Sequence, residues 1–126
     1  MDLKDIEVVN WPQKSSDEVK YIQLVIDGSR KFLRFAEDHH GSHNNILREF
    51  LIGINFPVSE NIMYTTPERG DRYKLVGAGE SNVDYGARII QVSKSKRSRI
   101  YGLGPDELSF NEIFRSQNEW SLNYNI

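Results

Sequence analysis

A chain of 126 residues has room for one ordinary domain around one hydrophobic core, so a single domain over residues 1–126 is expected. Hydrophobic residues make up 38% of it and charged residues 27%, a globular balance that argues against disorder. Sixteen Lys and Arg against 18 Asp and Glu leave a formal charge of −2, too near zero for a general attraction to nucleic acid or anionic lipid, and the absence of cysteine excludes disulfides, thiolate metal sites and a cysteine nucleophile.

The first residues, Met1 to Glu7, alternate charge with apolar side chains, where a secretory signal needs an unbroken apolar stretch. No apolar run approaches the ~18 to 20 residues that span a bilayer. A soluble, cytoplasmic protein with no membrane partner is expected. Ile6 to Val9 has the composition of a short strand, which Trp11-Pro12 ends. Gln13 to Glu18 reads as a polar connection.

Tyr21 to Ile26 and Ser29 to Phe35 are β-rich runs on either side of Asp27-Gly28. Asp-Gly at that spacing predicts a two-residue type I′ hairpin turn, whose central positions both need positive φ. Glu37 to Ser42 breaks the pattern as a loop. A helix is predicted over 44–54, because Ile46, Leu47, Phe50, Leu51 and Ile54 fall on one stripe, and Asn55-Phe56-Pro57 ends it. Ile62 to Tyr64 and Arg72 to Val76 read as strands, and Gly77 to Asn82 as a flexible connection.

The most distinctive stretch is Tyr85 to Leu103, read as a second antiparallel hairpin with a polar, basic turn around Ser93 to Ser95. Ser109-Phe110-Asn111-Glu112 has the form of a capping box, with Leu108 and Ile113 as its staple, and predicts a closing helix over 110–117. Trp120, Leu122 and Tyr124 alternate with polar residues, which predicts an extended, docked tail. The expected architecture is α+β: an antiparallel sheet of about five strands with one or two helices packed on one face.

Candidate chemistry is sparse. His39, His40 and His43 lie beside Glu37 and Asp38, ligand types suited to zinc, nickel or iron, but Gly41-Ser42 interrupts the helix that would align them and a solvated loop explains them as well. Gly77-Ala78-Gly79 lacks the third glycine and the following helix of a dinucleotide site. No serine sits in a G-x-S-x-G elbow, and Asp106-Glu107 are adjacent, so they do not face one cavity. Nothing calls for a cofactor. The basic ribbon remains: Arg88, Lys94, Lys96, Arg97, Arg99 and Tyr101 could follow phosphates and stack bases, although basic ribbon tips also serve simply to keep exposed edges soluble.

The run Ile22-Gln23-Leu24-Val25-Ile26-Asp27-Gly28, followed by a mid-chain helix and a later pair of strands, resembles small bacterial immunity proteins that neutralise polymorphic or contact-dependent toxins. The similarity covers the first third of the chain and the coarse order of elements. It implies a non-catalytic cytosolic protein whose partner is one cognate toxin domain. Its contact residues would be exposed ones, with Arg88, Lys94, Lys96, Arg97, Arg99 and Tyr101 the first candidates by charge. Two other classes stay open on the residues alone: a nucleic-acid-binding accessory protein using the basic hairpin over 88–101, and a small enzyme or ligand-binding domain.

Overall fold

The computed structural model of the chain describes residues 7–36, 43–54, 73–98, 101–115 and 119–125. In chain order they form β1 (Val9–Asn10), β2 (Ser16–Ile26), β3 (Arg30–Phe35), α1 (His43–Gly53), β4 (Tyr73–Asp84), β5 (Ile89–Arg97), α2 (Glu107–Arg115) and β6 (Ser121–Asn125). The α+β class holds. The six described strands make one sheet in the order β1-β3-β2-β4-β5-β6.

This sheet is mixed rather than wholly antiparallel. Its four inner strands pair antiparallel, whereas β1 runs parallel to β3 and β6 parallel to β5. The reason lies in the connections: between β5 and β6 the chain passes through α2, and a parallel pair requires such a crossover instead of a tight turn. The extended tail expected around Trp120 to Tyr124 is therefore β6.

The Asp27-Gly28 turn forms, with φ of 54° and 76° at its two residues and Ser29 N–H bonded to the Ile26 carbonyl. The register pairs Ile26 with Arg30, however, so the hairpin loop holds three residues, 27–29, instead of the expected two. On β2, neighbouring residues point to opposite faces. Ile22, Leu24 and Ile26 join Phe32, Tyr73, Leu75 and Ala78 beneath Leu47 and Leu51 of α1. Val19 and Tyr21 join Leu33, Phe35, Val83, Ile90 and Val92 beneath Phe110 and Ile113 of α2. The two helices thus take one face each rather than sharing one. Phe50, on the predicted stripe of α1, is half-buried and packs beside Phe32 at 5.2 Å.

Three local expectations are corrected. Gly77 to Asn82 is no flexible connection: it is the middle of β4, hydrogen-bonded to β2. The second hairpin joins β4 to β5 through Tyr85–Arg88, so its turn lies before the expected one at Ser93 to Ser95, and Lys94, Lys96 and Arg97 belong to β5 itself. No strand runs beside it over 98–103 among the described residues; there Gly102 N–H bonds to the Ser98 carbonyl and Ser98 N–H to that of Leu103. α2 begins at Glu107, so Ser109 is buried within the helix instead of capping it, and the staple residue Leu108 is 69% exposed. Asp106 takes the capping position, its carbonyl accepting the Phe110 N–H.

A polar latch explains the glycines of β4. The buried amide of Gln23 accepts from Asp106 N–H at 2.8 Å and donates to the Asp106 carbonyl at 3.0 Å. Gly77, paired with Gln23, leaves the room this needs: a Cβ there would lie 2.2 Å from Gln23 Oε1 and 3.0 Å from Asp106 N. Ala78 N–H bonds to the Gly104 carbonyl, so the 104–106 segment is held along β4 just where β5 has departed from it. Earlier along the same pair lies a wide irregularity, in which residues 93–96 of β5 stand opposite Glu80 alone before Arg97 pairs with Gly79.

Candidate functional site

The structure separates the basic residues that the sequence grouped. Arg88 lies in the β4–β5 turn, at one end of β5, and Lys94, Lys96 and Arg97 at the other. Lys94 pairs with Glu107 at 3.2 Å and sits over the Tyr124 ring; Lys96 lies 3.3 Å from Glu80 and 3.8 Å from Glu18; Arg97 donates to the Gly102 carbonyl. These three cations thus have partners within the molecule. Tyr101 is half-buried beside the α1-side core. Arg99, His39 and His40 lie outside the described residues.

Arg88 belongs to a different group, one invisible along the chain. Trp11 follows β1, Trp120 precedes β6, Phe114 lies on α2, and Tyr85 opens the turn that Arg88 closes. The two indoles stack at 5.3 Å and 3° from parallel, and the Phe114 ring meets Trp11 edge-on at 5.4 Å. Tyr85 lies 6.0 Å from Trp120. The Arg88 guanidinium covers both, 4.5 Å from the Tyr85 ring and 5.3 Å from that of Trp120.

Backbone contacts fix this turn. The Asp84 carboxylate accepts from Ala87 N–H, Arg88 N–H bonds to the Tyr85 carbonyl, Tyr85 N–H to the Ser15 hydroxyl, and Ser121 N–H to the Arg88 carbonyl. Arg88 itself has φ of 57°, the left-handed region. For a residue with a Cβ that conformation costs on the order of 1 to 2 kcal/mol, while an exposed cation–π contact returns about 0.5 to 1 kcal/mol. Glycine would suit the backbone better, so the side chain is what arginine adds here.

Trp120 is buried, Trp11, Tyr85 and Phe114 are half-buried, and Arg88 is exposed. A packed aromatic centre with an arginine at its rim matches the composition of binding hot spots, where Trp, Tyr and Arg are enriched. Sequence reasoning found Arg88 and, near it in the chain, Tyr85, but not the tryptophans or Phe114. The two tryptophans stand 109 positions apart in the chain, and no local pattern joins them.

Of the three histidines, His43 alone is described. It opens α1, is buried, and places Nε2 2.8 Å from the Gly79 carbonyl, so that nitrogen faces the protein as a donor and not a ligand ion. Burial pushes its pKa below the ordinary 6.5, and nearby Lys20 adds to the effect, against the carbonyl contact and Glu80. The unfolded chain then takes up a proton at this residue more readily than the folded one. Stability is full above pH 6.5 and falls as the pH drops from 6.5 toward the lowered value. Thermal melting from pH 7.5 to 5.5 is expected to show this loss, and His43→Gln to flatten it; a variant with the wild-type slope would contradict the assignment.

Elsewhere burial raises the Tyr21 phenol, whose hydroxyl has no hydrogen-bond partner among the described residues, and pushes Tyr124 up to about 12. Arg34 is lowered to about 10 by burial, with its guanidinium 4.4 Å from the Phe50 ring. Among the described residues, no group of three or more His, Cys, Asp or Glu side chains could hold a metal ion, and no helix is long and apolar enough to cross a membrane. No known protein-family model matches the chain, and no curated protein is significantly similar to it.

Proposed function

We propose that the chain is a non-catalytic protein-binding module whose contact surface is the Arg88 turn and the aromatic stack behind it. The observation that carries this reading is Arg88 itself: it keeps a left-handed backbone while its guanidinium spreads over Tyr85 and Trp120. The resemblance of the first hairpin and element order to immunity proteins supplies the class of partner, a cognate toxin domain. The nucleic-acid reading draws less support, because Lys94, Lys96 and Arg97 already engage groups of their own chain.

The test uses Arg88→Gly, which removes the side chain and relieves the backbone together. Titrated calorimetrically against the product of a neighbouring toxin-like gene, it is expected to bind about 30-fold more weakly than wild type, the loss of a hot spot worth about 2 kcal/mol, with its melting temperature unchanged or raised. Equal affinity would overturn the placement of the surface. Binding to random DNA that collapses with added salt, and none to the toxin-like product, would favour the nucleic-acid alternative.

A further inference from the structure

The two ends of the sheet are guarded differently. At one end the two-residue β1 pairs with Leu33 and Arg34 alone, and the rest of β3 carries Arg30 and Lys31, charged side chains of the kind that keep strand edges from pairing with other chains. The other end is β6, Ser121-Leu122-Asn123-Tyr124-Asn125, with no charge and no proline. Among the described residues nothing pairs with its outer edge.

β6 is also self-complementary. A two-fold axis through Asn123 sets two copies antiparallel, with Leu122 opposite Tyr124 of the copy and Ser121 opposite Asn125. Leu122 and Tyr124 are half-buried on the α2 side, where each would gain apolar cover from the other, and Asn123 is exposed on the far side, where two amides can bond to each other. Because the strand is neutral, this register sets no like charges against each other. Such an isologous contact closes as a dimer and leaves no further edge at that end.

We infer that β6 is the pairing edge of a homodimer, formed strand to strand about Asn123. Ser121 N–H bonds to the Arg88 carbonyl on the β5 side of the strand, whereas the pairing uses the opposite edge of β6, so the two surfaces adjoin but are tested by different variants. Five residues a side make a small interface, so the dimer is a weak one, populated at high micromolar concentration.

Sedimentation equilibrium of the full chain tests it, from about 10 μM to 1 mM, concentrations chosen to bracket a weak interface of this size. The apparent mass is expected to rise from 14.6 kDa toward twice that value. Asn123→Lys and Asn123→Asp each bring like charges together on the axis while leaving the monomer's exposed position harmless, so each is expected to stay monomeric, and an equal mixture of the two to dimerise again. A wild-type mass fixed at 14.6 kDa throughout, or an Asn123→Lys variant that associates like wild type, would overturn the inference.

Discussion

Gly77→Ala is expected to lower the stability of the fold by about 3 kcal/mol. Two costs combine. The new methyl group enters space held by Gln23 Oε1 and Asp106 N, and overpacking of this kind costs about 1 to 3 kcal/mol. If the Gln23 amide moves aside, both of its bonds to Asp106 are lost inside the protein, at about 1 to 3 kcal/mol for each group left unsatisfied. Gln23 is fully buried, so its amide has no solvent to turn toward. Urea unfolding should show the midpoint falling at constant slope. Gln23→Ala in the same chain removes the atom that obstructs the methyl group, and the double variant should lose about 1 kcal/mol less than the two single losses together. A Gly77→Ala protein as stable as wild type would mean that the latch does not exist.

Phe110→Ala should cost about 3 to 5 kcal/mol, a large part of the stability of a domain of this size. Phe110 has no exposed surface, and its ring lies 5.0 Å from Tyr21, 6.2 Å from Phe114 and 6.3 Å from Tyr124. It ties α2 to the centre of the sheet and to the edge strand together. Leu108→Ala is the informative companion: a helix capped at Ser109 would use Leu108 as an apolar staple, but with the helix starting at Glu107 that residue faces solvent. Leu108→Ala is therefore expected to change stability by less than about 0.5 kcal/mol, as surface substitutions do. A loss comparable to that of Phe110→Ala would restore the later helix start.

These residues also show what the sequence could disclose. Asp27-Gly28 announced its hairpin because the turn's backbone geometry is satisfied within the turn. The stripe of α1 was legible for the same reason, a local period expressed by neighbours along one helix. Gly77 to Asn82 misled because glycine, serine and asparagine favour turns, whereas their strand geometry is imposed from outside by β2 on one side and by Gly104 and β5 on the other. Glycine inside a strand marks close approach of other groups, and here the group is an amide that arrives from β2.

The basic stretch misled differently. Alternation from Arg97 to Tyr101 suggested a returning strand, but the residues that turn the chain are Asp84 to Arg88, through the Asp84 carboxylate on Ala87 N–H. The aromatic stack lay beyond any local pattern, since it gathers side chains from the turn, one helix and the approaches to both outermost strands.

The seam between β2 and β4 has a kinetic consequence. Ile26 pairs with Tyr73 and Ser16 with Val83, so everything from 27 to 72 must be looped out before the middle of the sheet can close. The hairpins on either side of it need only short turns and can form early, but neither has a complete apolar face until they meet. Folding should therefore be limited by that meeting, on the millisecond-to-second scale of proteins whose contacts are remote in sequence.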